Sequence, residues 1–186
     1  MTRAGKCSLV PFNAKALAVM AFLSATSSLL GEAVRWESVG VRFGFFPFAA
    51  AEDFYRAEIA ANWMLPWSWH FDSVWRLQTG LDASAGLLGE HDLMGAIVSG
   101  GPTLALIRQK LPLSLEVGVS PTVITRTRFT SKDLGFPLQF TTHIGLNLDL
   151  GAHVRLISRF QHMSNGAIAH PNPGLNLLLL GVSYRF

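Results

Sequence analysis

The sequence predicts an all-β protein, an eight-stranded antiparallel transmembrane β-barrel. Three observations predict it. The chain is 49% apolar and only 15% charged, with a mean hydropathy of +0.32. Yet beyond the amino-terminal segment it holds no uninterrupted run of the roughly 18–20 apolar residues that a spanning helix needs. Apolar residues instead alternate with small or polar ones along the rest of the chain, which is the period of a strand with one greasy face. The end of the chain repeats the pattern: counting back in twos from Phe186, Tyr184, Val182, Leu180 and Leu178 are all apolar. A closed barrel lets such strands cross lipid with every backbone group paired.

The amino terminus reads as a secretory signal over residues 1–33. Arg3, Lys6 and Lys15 supply a positive start, Ala16 to Leu23 an apolar core, and small residues follow, with Gly31-Glu32-Ala33 or Ser24-Ala25 as cleavage sites. Its removal leaves residues 34–186 as the barrel and lowers the formal net charge from +3 to +1. The basic balance therefore belongs mostly to the signal, and no nucleic-acid partner is implied. Cys7, the sole cysteine, precedes the apolar core, where a lipoprotein cysteine would follow it. The exported part then has no thiol, and neither disulfides nor thiolate chemistry are expected.

The strands follow in order. Val39, Val41, Phe43 and Phe45 alternate with Gly40, Arg42 and Gly44. Tyr55, Ala57, Ile59, Ala61 and Trp63 leave Arg56, Glu58 and Asn62 on the other face. Trp75, Leu77 and Leu81 alternate with Arg76, Gln78 and Asp82, and a weaker Gly-rich run spans Leu93 to Leu106. Leu113 to Val119 and Phe140 to Leu150 alternate cleanly, and two carboxy-terminal strands bring the number to about eight, the smallest common outer-membrane size. The charged residues on the second face are expected to pair in the narrow interior. Trp63, Trp67, Trp69 and Trp75 cluster around a turn predicted at Pro66 and read as an interfacial girdle. Loops are predicted at Phe46-Pro47, Gly86 to Asp92, Arg108 to Lys110, Arg126 to Gly135 and Gly166 to Gly174.

The penultimate strand carries the chemistry. Val154, Leu156, Ser158, Phe160, His162 and Ser164 share its lipid-facing side, while Arg155, Arg159 and Gln161 face inward. A base and a hydroxyl two residues apart on one face are a candidate hydrolytic pair; two tolerated polar residues at the headgroup level are the plain alternative. With both termini in the periplasm, the loop Gly166 to Gly174 is extracellular and Asn176 stands at the top of the last strand, on the same outward face. His170 is a loop residue beside Pro171 and a competing base; His143 shares the inward side with Asn147 and Asp149. No ligand spacing supports a metal, and no Gly-rich phosphate loop follows a strand, so no cofactor is expected.

The run Arg159-Phe160-Gln161-His162-Met163-Ser164-Asn165, followed by Pro171-Asn172 and Gly174, resembles the signature of the PagL-type lipid A 3-O-deacylases. A weaker likeness extends through Leu113 to Arg128 and Leu134 to Leu150. The resemblance implies an eight-stranded barrel in the outer membrane of a Gram-negative bacterium. It implies hydrolysis of the 3-O-linked acyl ester of lipid A in lipopolysaccharide, among outer-membrane lipids and without a cofactor. It makes Ser164 the nucleophile, His162 the general base and Asn165 an oxyanion residue. The family's third catalytic member is a Glu, and here that position is Asn176. The residue can orient an imidazole but brings no charge, so weakened activity, or a non-enzymatic barrel with a structural or surface-interaction role, stays open. So does association into a homodimer.

Overall fold

The computed structural model describes residues 34–45 and 53–186. The predicted signal segment and the loop at Phe46-Pro47 lie outside the described residues. Eight strands close into one barrel in chain order, each antiparallel to its neighbours: β1 (Arg35–Phe45), β2 (Phe54–His70), β3 (Trp75–Glu90), β4 (Leu93–Arg108), β5 (Leu113–Ile124), β6 (Leu138–Leu150), β7 (Val154–Ser164) and β8 (Leu175–Arg185). β8 closes on β1 through pairs from Ser38–Arg185 to Phe45–Leu178. Closure removes both sheet edges. One rim carries the start of β1 and the end of β8; the opposite rim carries the β1–β2, β3–β4, β5–β6 and β7–β8 connections and is here called the loop rim.

Side-chain parity sorts the wall as the alternation predicts. Val41, Phe43, Ile59, Val98, Ile144 and Leu180 face out and are exposed, while Arg42, Glu58, Asp82, Asn147 and Arg159 face in and are buried. All five tryptophans of the chain (Trp36, Trp63, Trp67, Trp69 and Trp75) lie in β2 or near the ends of β1 and β3 at the terminal rim. Trp36 packs against Trp63 at 4.7 Å and against Phe186 at 6.2 Å, and Tyr184 meets Phe186 at 5.6 Å. This is an aromatic belt in which flat amphipathic rings meet a membrane boundary.

Two local expectations need correction. Pro66 makes no turn: β2 runs through it to His70, and the residue sits where the β2–β3 register shifts between Met64 and Ser68. A proline lacks the ladder N–H, and a bulge is where a strand tolerates that loss. The reversal comes later, where the Asp72 carboxylate accepts the Val74 and Trp75 N–H groups at 2.6 and 2.7 Å. Nor is Gly86 to Glu90 a loop. β3 continues through it, and Gly86 is needed because a Cβ there would stand 2.0 Å from the Ala57 carbonyl oxygen of the neighbouring strand. Only His91 and Asp92 connect β3 to β4, with His91 in the left-handed region (φ 51°) that such tight hairpins require.

The interior has two zones. Through the middle runs an ionic ladder. Arg42 pairs with Glu58 (2.5 Å) and Asp82 (2.7 Å), Arg56 pairs with Glu58, and Arg159 joins Asp82 (3.3 Å) to Glu116 (2.6 Å). His143 lies inside, as its parity predicts, 3.4 Å from Glu116. Toward the terminal rim, Arg155 holds Glu37 and Asp149, and Arg185 also reaches Asp149. Under the loop rim the interior turns apolar: Phe54, Leu88, Ile97, Ile124, Met163, Leu175, Leu177 and Leu179 form a cluster completed by Phe129 and Leu134 of the β5–β6 loop. That loop therefore folds inward as a stopper. Its backbone is fixed by the fully buried Glu90, whose carboxylate accepts the Ser131 N–H at 3.0 and 3.2 Å. Burying the carboxylate is tolerable because the donor is delivered to it.

Candidate active site

β7 and β8 bring the sequence-derived residues together at the loop rim. Their register places His162 directly opposite Asn176, and both side chains are on the outer face. Adjacent facing residues on paired strands come within side-chain reach. The His162 Nδ1–H donates to Asn176 Oδ1 at 2.8 Å. That bond turns the ring so that Nε2, the nitrogen left unprotonated, is the one free to accept a proton. Ser164, two residues along and half-buried, shares the same face at the last position of β7. No hydrogen bond joins Ser164 to His162 here; in substrate-free sites such a bond commonly tightens only when the reacting group arrives.

Behind this outer pair stands a second layer that gives it shape. Asn165 is the first residue after β7 and is 0% exposed, so its side chain points away from the face that bears Ser164. Its amide nitrogen donates to three backbone carbonyls, those of Leu134 (3.2 Å), Ala169 (3.0 Å) and Pro171 (3.1 Å), and its own N–H donates to Asn172 Oδ1 at 3.0 Å. The side chain thus binds the β5–β6 and β7–β8 loops into one body. In this arrangement it holds the turn that follows β7. The next two residues, Gly166 and Ala167, are both left-handed at φ 62°. Ala167 is an L-residue in an unfavourable conformation, the kind of local strain that persists where the surroundings impose it.

Two glycines make the close contacts possible. At Gly135 (φ 76°) a Cβ would lie 2.1 Å from the Pro171 carbonyl oxygen and 2.9 Å from Asn165 Nδ2, so only glycine allows the two loops to touch. At Gly174 (φ 68°) a Cβ would lie 2.8 Å from His162 Cε1, so the ring rests against bare backbone. The Lys132 ammonium donates to the Gly174 carbonyl at 3.2 Å, joining the β5–β6 loop to this support.

The structure therefore brings His162, Ser164 and Asn176 to one outer patch and places Asn165 beneath them. His170, the competing base, stays in the exposed part of the β7–β8 loop. His143 is inside the barrel. Of the loop-rim carboxylates, Glu90 and Asp133 are engaged elsewhere, with Ser131 and with Arg128 and Gly135 respectively. Among the described residues no carboxylate pairs with His162. Gly135, Gly174 and Lys132 were not singled out by composition or spacing for these roles. The two glycines had a signal in the loop motifs around them; Lys132 had none.

Residues 55–185 match the family described as lipid A 3-O-deacylase (PagL). The chain belongs to the PagL family. A stretch of 72 residues is 40% identical to the lipid A deacylase PagL of Bordetella bronchiseptica, covering 39% of this chain; the chain spans 40% of that relative's length. Among solved structures, the outer membrane enzyme PagL superposes with a TM-score of 0.69 at 21% identity, over 78% of this chain and 97% of the other. The eight-stranded barrel is thus the PagL fold. The PagL family match covers every residue of the outer patch.

Proposed function

We propose that this barrel is an outer-membrane esterase that removes the 3-O-linked acyl chain from lipid A, with Ser164 as nucleophile and His162 as general base. The observation that carries the reading is the 2.8 Å bond from His162 to Asn176 on the outer face beside Ser164, in a chain of the PagL family. Residues 1–33 are its export signal in this reading, both ends lie in the periplasm, and the loop rim faces outward at the level of the outer leaflet.

Each step follows from the placement of these groups. Lipid A enters laterally from the membrane, because the patch opens on the lipid side of the wall. Ser164 Oγ attacks the ester carbonyl while His162 Nε2 takes its proton. The carbonyl oxygen becomes negative and is held by N–H groups of the strained Gly166–Ala167 turn, which Asn165 keeps in place. Collapse of the tetrahedral intermediate breaks the ester C–O bond, and His162 returns its proton to the departing sugar oxygen. Water, deprotonated by the same imidazole, then releases the fatty acid from Ser164.

Asn176 is where this site departs from a complete triad. It fixes the tautomer but offers no negative charge to the imidazolium formed in the transition state. In serine proteases the corresponding Asp-to-Asn change costs about four orders of magnitude in rate, partly through the wrong tautomer, an error that the observed bond orientation avoids. The same feature supports a second reading, a barrel whose chemistry has lapsed. Mass spectrometry of lipid A from cells expressing the chain decides between them. Loss of one 3-O-linked acyl group is the expected result, and an unchanged spectrum in the presence of folded barrel would favour the second reading.

A further inference from the structure

A second feature of the loop rim takes no part in the hydrolytic patch. Above β4 and β5 lies an open cleft of about 470 Å³ lined by Met94, Thr125, Arg126, Thr127 and Arg128. It is a built feature. Thr125 continues the β4–β5 pairing past the strand end, donating its N–H to the Ala96 carbonyl (2.9 Å) and accepting the Ala96 N–H on its hydroxyl (2.8 Å). Gly95 leaves room for the crossing chain, since a Cβ there would lie 2.7 Å from Arg126 Cβ. The Arg126 Nε donates to the Met94 carbonyl at 3.1 Å, which anchors the guanidinium. Its two terminal nitrogens have no partner among the described residues. Arg128 is held from one side by Asp133 at 3.2 Å. Two anchored guanidinium groups with adjacent threonine hydroxyls form a fork suited to a tetrahedral oxyanion.

We infer that this Arg126–Arg128 cleft binds a phosphate monoester on the sugar headgroup of the lipid substrate, at a point remote from the ester that is cut. The inference rests on the lipid A reading for the identity of the headgroup. The cleft stands on the same rim as Ser164, two strands around the wall. With strands about 4.8 Å apart and a rise of about 3.3 Å per residue, the separation is on the order of 10–20 Å. That matches an acylated, phosphorylated glucosamine disaccharide, whose phosphates sit on its two ends while the ester lies between. One loop serves both places: Arg126 and Arg128 begin it, and Lys132 further along touches Gly174 beneath the His162 ring. Engagement of the headgroup at one end would thus be felt by the backbone that supports the base.

The test separates binding from turnover. The full barrel carrying Ser164→Ala, in detergent micelles, is titrated with bis-phosphorylated lipid A and with the same lipid stripped of its phosphates. The expected result is at least about tenfold tighter binding of the phosphorylated lipid, as charge-assisted hydrogen bonds to a phosphate imply. The preference should shrink as salt is raised and approach unity in Arg126→Gln/Arg128→Gln. Equal binding of the two lipids by the parent barrel, or a preference kept in the double variant, would overturn the proposal. Inorganic phosphate bound as tightly as the lipid would overturn it too, assigning the cleft to the free ion. Because the Ser164→Ala barrel is read only for binding, this outcome is independent of the lipid A mass spectrum: a phosphate preference here with an unchanged spectrum from cells expressing the unaltered chain would sink the esterase reading and leave this one standing.

Discussion

At the scale of single residues the site is defined by who faces whom across β7 and β8. Ser164 and His162 stand on the outer face and support none of the interior packing. Ser164→Ala and His162→Ala are therefore each expected to abolish deacylation while the protein keeps the heat-modifiable gel migration of a folded barrel; full activity in either would remove the dyad. Asn176 invites the opposite experiment. Asn176→Glu places a carboxylate 14 positions along the chain from His162 but within the same cross-strand contact. It should raise the deacylation rate tenfold or more, given the size of the analogous loss in proteases. A rate that falls instead would mean that the site is adapted to a neutral partner. The parity of the outer face was legible in the sequence because a strand has a period of two and every step is local. The commitment of Asn165 to Leu134, Ala169 and Pro171 was not, since one of its partners lies 31 residues away and the contact exists only once the loops have met.

At the scale of elements, the alternation read from Val39–Phe45, Leu113–Val119 and Phe140–Leu150 survives as β1, β5 and β6. The misreadings at Pro66 and at Gly86 to Glu90 share one cause. Proline and glycine usually punctuate strands, but here a bulge absorbs the missing donor and close strand packing demands the missing Cβ. Glycine has a sharper role in the element that supports the base. Gly174 is left-handed, and its backbone lies against the His162 ring, so Gly174→Ala is expected to push the imidazole aside. A displacement near 1 Å at such a position costs on the order of 10²-fold in rate. The readout is kcat with gel migration as the fold control, and an unchanged kcat would show that the ring is positioned by Asn176 alone.

At the scale of the whole molecule, stability and orientation come from an interior that is ionic in the middle and apolar beneath the loop rim, inside a wall that is greasy outside. Asp82 is the shared partner of Arg42 and Arg159, both buried. Asp82→Ala leaves two guanidinium groups facing one another in the lumen, and removal of one member of a buried ionic set commonly costs about 3–5 kcal/mol. The midpoint of denaturant-induced unfolding in detergent should fall accordingly, and an unshifted midpoint would show that the ladder contributes specificity rather than stability. The stopper formed by Phe129 and Leu134 over Phe54, Leu88 and Ile97 has a consequence for the cell that makes this protein. An outer membrane must exclude small toxic solutes, and every open barrel added to it is a leak. With side chains and an inward-folded loop occupying the lumen, this barrel presents its outer patch to lipid without adding a pore. In a planar bilayer it should be electrically silent, and cells that overproduce it should take up hydrophilic antibiotics no faster than before. On the proposed function, the number of copies a cell can carry is then set by the lipid they alter and not by the barrier they breach.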